Sequence, residues 1–218
     1  MKRNISKKLM AWKDSSSRKP LIIRGARQVG KTYTVKEFGS EHFSNVVVLD
    51  FERDRSLNAV FEKDLDPKKL LIELEIHTGS RIIPGETLLF FDEIQACERA
   101  LLSLRYFYEE MPELHIIAAG SLLEFAMSNI SFPVGRVTFE WMRPMTFREF
   151  LIACSKDIAA QRIPSIFSSE PVLETLHNLL IEQLRLYFIV GGMPEAVKRF
   201  IETGSAASVK EVHDDIIH

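Results

Sequence analysis

Eight consecutive residues, "GARQVGKT" from Gly25 to Thr32, fit the spacing G-x-x-x-x-G-K-[ST]. The chemistry this spacing suits is the cradling of phosphate. Gly25 and Gly30 let the backbone approach oxygen atoms that a side chain would push away. The amides running through Ala26, Arg27, Gln28 and Val29, with the positive end of the helix that follows, then face the anion. Lys31 would reach the β- and γ-phosphates of a nucleotide, and the Thr32 hydroxyl would ligate Mg²⁺. The alternative is an ordinary strand-turn-helix. Context favours the cradle: the apolar run "LIIR" stops directly before the loop, and a helix-like sequence starts directly after it.

A phosphate loop does not by itself make a hydrolase. "LLFFDEIQ" supplies what it lacks. Asp92 follows an apolar strand, so its carboxylate falls at the strand's C-terminal end, where it can hold the Mg²⁺ shell. Glu93 can orient and polarise a water for in-line attack on the γ-phosphate. Against this stands a simpler role for both acids, as caps of the helix that follows. Ser121, at the end of "LHIIAAGS", is either a sensor that hydrogen-bonds the γ-phosphate or an N-cap for "LLEFAM". Gln95 would touch the attacking water or the neighbouring strand.

These residues need a scaffold that brings strand ends together. "LIIR", "NVVVLDFE", "ETLLFFDEIQ" and "LHIIAAGS" read as strands, the last three buried on both faces, and "GRVTFEWM" as a final strand. Helical stretches lie between them. "LDPKKLLIELEIHTG" carries Asp66 as N-cap, Pro67 at the first helical position and Gly79 past the end. Alternating strands and helices call for a mostly parallel α/β sheet covered by helices on both faces. The pattern turns all-helical after Ile163, with a break at "GGMP". The expected organisation is a P-loop core over residues 1–160 and a small helical, lid-like segment over 161–218, with a soft boundary near 155–170.

Composition narrows the class. The net charge of −2 gives no global basic footprint for nucleic acid, which leaves only a local patch for such a partner. Cys97 and Cys154 stand alone with no CxxC, which fits a reducing cytoplasm. No stretch reaches the length of a membrane span, and "MKRNISKKLMAWK" lacks an apolar core of signal length. The histidines are scattered and suggest no metal site.

"GARQVGKT", "FFDEIQ", "AAGSLLE", "FPVGRV", "RPMTFREFL" and "YFIVGGMPEAV", in this order, resemble a family of prokaryotic AAA-like P-loop ATPases whose members carry an additional C-terminal domain of unknown function. The resemblance spans nearly the whole chain. It implies the additional-strand catalytic-glutamate sheet, in which one strand separates the P-loop strand from the Asp92 strand. It also implies a functional arginine at Arg136, a finger or sensor for a γ-phosphate. The other reading of Arg136 is a surface arginine or a structural ion pair. Two departures stand out. Ala119 occupies a position where the family often has Thr, leaving Ser121 as the only hydroxyl there. The chain also stops at "VHDDIIH", which reads as truncated before the C-terminal domain.

The expected function is ATP binding and Mg²⁺-dependent hydrolysis coupled to a macromolecular partner, in a protein that can oligomerise. The alternative is a nucleotide-gated regulatory module, linked in some cases to nucleic acid, with little turnover. A small-molecule kinase is a third reading, which "DEIQ" followed by a polar sensor matches poorly.

Overall fold

The structure is a computed structural model that describes residues 1, 3–121, 135–163 and 172–217. It divides into two compact units, Ile5–Met142 and a second made of Met1–Asn4 with Arg143–His218. The expected change of composition near 155–170 falls after this division.

The first unit is built on five parallel strands: β1 (Leu21–Arg24), β2 (Asn45–Asp50), β3 (Thr87–Asp92), β4 (His115–Gly120) and β5 (Thr138–Trp141). Their order across the sheet is β2-β3-β4-β1-β5. β4 therefore separates the loop-bearing β1 from β3, which carries Asp92. Every residue of β3 and β4 is buried, as expected for strands covered on both faces. Register sets the site. Arg24 lies opposite Gly120, Phe91 opposite Ala118 and Asp50 opposite Asp92. The C-terminal ends of four strands thus finish nearly level, and the loops leaving them share one edge.

The helices follow local chemistry. α1 (Ile5–Lys13) buries Ile5, Leu9 and Trp12. α2 (Lys31–His42) starts at Gly30, whose φ of 92° puts it in the left-handed region that glycine enters freely. α3 (Leu57–Lys63) buries Leu57 and Phe61. α4 (Pro67–Thr78) has Asp66 accepting from the Lys68 amide, Pro67 in its first turn and Gly79 left-handed at its end. α5 (Glu98–Glu110) buries Leu101, Leu104 and Phe107. Phe51, Phe61, Phe91 and Phe107 meet edge to face, with ring centres 5.5 to 6.4 Å apart.

The second unit is helical where described. α6 (Phe147–Ala153) opens with a capping box between Thr146 and Glu149. Glu149 also accepts from Arg3 Nε at 3.1 Å and from the Asn4 amide at 2.7 Å, which ties the first residues of the chain to this unit. After α7 (Asp157–Arg162) come α8 (Glu174–Val190), α9 (Pro194–Thr203) and α10 (Lys210–Ile217). The "GGMP" break is a close approach. A Cβ on Gly192 would lie 2.4 Å from the Met145 carbonyl oxygen, and Met145 N donates to Gly192 O.

Candidate nucleotide site

The loop from Gly25 to Gly30 leaves β1 and turns into α2. Its two glycines are needed for different reasons. A Cβ on Gly25 would sit 2.1 Å from the Met142 carbonyl oxygen, so the close approach here is to the end of β5. Gly30 supplies the left-handed turn that starts α2, and Thr34 N donates to Gly30 O at 3.0 Å. Gln28, between them, also has positive φ, 63°. Val29 is fully buried and anchors the loop from below, while Ala26, Arg27 and Gln28 are exposed along its rim.

Lys31 is 5% exposed, and its Nζ donates to the carbonyl oxygens of Gly25 (2.9 Å) and Ala26 (2.8 Å). Burial pushes this ammonium below the ordinary lysine range. The Glu93 and Asp92 carboxylates hold it up, and Arg27 opposes them. Asp92 is buried, and the Thr32 side chain lies near its carboxylate. Burial raises the Asp92 carboxyl, the Thr32 bond offsets part of this, and the Glu93 and Asp50 carboxylates raise it further. Asp50 is held at the end of β2 by accepting from the amides of Glu52 and Arg53.

Glu93 follows at φ 49°, and its amide donates to Asp92 Oδ1 at 3.2 Å. It precedes the short 3₁₀ turn Ile94–Ala96 but makes no side-chain cap bond to it. Its Oε2 accepts from Gln95 Nε2 at 2.6 Å. Ser121 follows the last residue of β4, between β1 and β3, and its Oγ is buried without a hydrogen-bond partner. The "LLEFAM" stretch that it would cap lies outside the described residues.

Gly25 to Thr32, Asp92, Glu93 and Ser121 thus gather at one end of one sheet. Arg136 does not join them. It precedes β5, and Thr138 of β5 lies opposite Leu21, the first residue of β1. The four residues of β1, on the order of 13 Å of strand, separate that level from the loop. Arg136 Nε instead contacts Glu109 Oε1 at 2.8 Å, an oxygen that also accepts from Arg105. The resemblance alone pointed to a phosphate contact. Within its own chain this arginine makes an exposed ion pair at the other end of the sheet.

The residues present suit ATP·Mg²⁺. The Thr32 hydroxyl and Asp92 carboxylate are a pair of hard oxygens near enough for Thr32 to lower the carboxyl, and the Asp92 charge acts on the Lys31 ammonium. Pattern reading missed Asp50, the Met142 carbonyl that imposes Gly25, and the bond between Gln95 and Glu93. The acid at the end of "NVVVLD" was a signal for the first; the other two are contacts that no spacing announces.

The model of a protein family described as an AAA domain matches residues 17–151, more than half of the chain. No curated protein matches it. Among solved structures, C. elegans PCH-2 superposes with a TM-score of 0.53 at 12% identity, covering 96% of this chain and 69% of that one. A chain of the Drosophila ORC bound to DNA gives 0.54 at 14% identity, covering 94% of this chain and 58% of that one. This chain therefore spans little more than half the length of the ORC chain, and both likenesses are likenesses of fold.

Proposed function

The chain belongs to the AAA-domain family, and from that premise we propose that it binds ATP·Mg²⁺ at Gly25–Thr32 and hydrolyses the β–γ phosphoanhydride. The observation that carries this reading is Lys31, buried at the start of α2 with its Nζ on the carbonyl oxygens of Gly25 and Ala26 and within the field of the Asp92 and Glu93 carboxylates at the end of β3. Lys31 has three donors, and its two carbonyl partners belong to the loop itself. Exchanging them for phosphate oxygens places the ammonium against the β- and γ-phosphates. Thr32 and Asp92 would hold Mg²⁺, which would supply charge neutralisation at the transferred group. Glu93 takes the proton of the attacking water, and the unpaired Ser121 hydroxyl donates to the γ-phosphate or the phosphate released from it.

The turnover is proposed to serve a macromolecular partner. One structural neighbour is a DNA-bound complex, but a net charge of −2 supplies no general basic face for DNA here. Among the described residues no helix is long and apolar enough to cross a membrane. One observation favours the second reading, a nucleotide-gated module with little turnover: Arg136 pairs with Glu109 away from the loop of its own chain, so it does not serve that chain's site.

Thermal melting with and without ATP·Mg²⁺ tests the binding. A ligand at a hundred times Kd stabilises the native state by about 2.7 kcal/mol. The expected result is a rise in Tm for the parent and none for Lys31→Ala. An equal rise in both places the nucleotide elsewhere.

A further inference from the structure

Glu93 has two carboxylate oxygens, and the structure commits one of them. Gln95 Nε2 donates to Glu93 Oε2 at 2.6 Å. A carboxylate only accepts, so the amide nitrogen has to face it and the amide oxygen has to face away. That oxygen, Gln95 Oε1, is buried with no hydrogen-bond partner. An unmade bond at a buried acceptor is a standing cost. Glu93 adds another, because φ 49° is a conformation that side chains rarely adopt. Neither cost is repaid by helix capping, since Glu93 makes no side-chain cap bond. Both serve to hold one carboxylate in one pose.

We propose that Gln95 is a positioning residue for hydrolysis: its amide fixes Glu93 through Oε2 and leaves Oε1 as the oxygen presented to water. The inference rests on the ATPase reading above. In the step it serves, the water oxygen forms a bond to the γ-phosphorus while the bond to the β–γ bridging oxygen breaks. The bridging oxygen keeps the electron pair and leaves as ADP. One water proton passes to Glu93 Oε1, and Gln95 neither gains nor loses an atom. Without the amide, the carboxylate turns about its last torsion, which has a broad and roughly two-fold profile. Oε1 then faces the water for only part of the time. Misplacement of a reacting group on this scale lowers a rate by about ten- to a hundredfold.

The test uses the whole chain and five variants: Gln95→Met, Gln95→Glu, Glu93→Gln, Gln95→Met combined with Glu93→Gln, and Lys31→Ala as the control. Steady-state ATP turnover, affinity for a non-hydrolysable ATP analogue and Tm are measured for each. Gln95→Met keeps the length and removes the donor. It is expected to lower kcat at least tenfold while KM and analogue affinity stay within about twofold. Gln95→Glu, of nearly the same shape, sets two carboxylates against each other and is expected to lower kcat as far or further. It carries the prediction alone where Gln95→Met does not fold. The double variant is expected to be no slower than Glu93→Gln, because a positioning residue has nothing left to position. The proposal is overturned by a Gln95→Met chain with kcat at or above the parent's. A loss confined to KM, or a full further loss in the double variant, overturns it too. A lowered Tm with parental turnover in the folded fraction makes Gln95 merely structural. Parent turnover no faster than that of Lys31→Ala defeats the ATPase reading itself and this inference with it. Parental turnover that Gln95→Met leaves unchanged defeats this inference alone.

Discussion

The two ends of the sheet bury polar groups in different ways. At the end where the strands begin, His115 opens β4 between Trp12 and Phe43, with ring centres 5.8 and 4.8 Å away, both edge to face. The Arg18 guanidinium lies over Trp12, and Trp12 Nε1 donates to Lys19 O. Among the described residues, no non-glycine residue there has positive φ. At the end where the strands finish, Gln95 Oε1 and Ser121 Oγ are buried without partners, as His115 Nδ1 and Arg18 Nε are at the other end, but here Gln28 and Glu93 have positive φ. These are the only non-glycine residues with positive φ among the described residues of this unit. One end packs a histidine among aromatic rings; the other carries backbone strain beside a buried lysine and aspartate.

Arg136 gives the sharpest way to break that contrast, because it belongs to the relaxed end in its own chain. An arginine finger contributes on the order of 10³ to 10⁵ in rate. If Arg136 supplies one, it completes the site of a neighbouring chain. Mixing Arg136→Ala with Lys31→Ala then restores activity, since one chain brings a site and the other an arginine. ATPase activity per chain also rises with protein concentration. Flat specific activity over a dilution series, with no rescue on mixing, leaves Arg136 as the partner of Glu109 and nothing more.

Glu93→Gln separates binding from chemistry at the strained end. ATP affinity is expected to stay near the parent's while hydrolysis falls by about a hundredfold, the scale of a general-base contribution. Turnover at the parental rate would reduce Glu93 to a strained loop residue.

Sequence pattern made the strained end legible and left the relaxed end dark. The loop, Asp92 and Glu93 follow from short spacings and apolar runs, which are local, and the strand between β1 and β3 from the family resemblance. Asp66, Pro67 and Gly79 also lie where local rules put them. What escaped was set by partners far along the chain. Gly25 and an ion pair at Arg136 were legible, but not their partners: Met142 at Gly25, Glu109 at Arg136, and Arg3 at Glu149. α3 escaped because seven residues are too few for a clear period.

The relaxed end predicts an acid response. Burial, with the Arg18 charge second, lowers the His115 imidazolium from 6.5 to about 4, while a backbone bond at Lys13 works the other way. The unfolded chain therefore takes up this proton first. Stability from this group is intact above pH 6.5, is lost as pH falls to about 4, and is lost no further below. The shift corresponds to about 3 kcal/mol. Urea melts at pH 7 and pH 4.5 should show most of this loss in the parent. His115→Phe, which keeps a ring against Trp12 and Phe43, should show much less of it, with ATP turnover per folded chain unchanged at pH 7. An unchanged acid response in the variant moves the sensitivity to other groups.

Asp92 predicts the smaller and opposite effect. Its carboxyl is raised first by burial and then by the Glu93 and Asp50 carboxylates, with the Thr32 bond offsetting part of this. A folded value above the unfolded one means that the native state holds this proton more tightly. The resulting cost is absent below the ordinary aspartate range near 3.8 and fully present once pH exceeds the folded value. Above the folded value the ionised carboxylate thus works against the fold that carries it. Asp92→Asn removes the charge and keeps an oxygen for the Thr32 hydroxyl. The nucleotide-free protein is expected to melt higher, by about 2–4 °C for each kcal/mol relieved in a chain of this length. The gain should shrink as pH approaches 4, where the parent carboxyl becomes protonated as well. The same variant should bind ATP less tightly with Mg²⁺ and about equally without it. A variant that melts lower at neutral pH would show that Asp92 holds the strand ends together, and the division between a strained end and a stabilising end would fail at its most buried carboxylate.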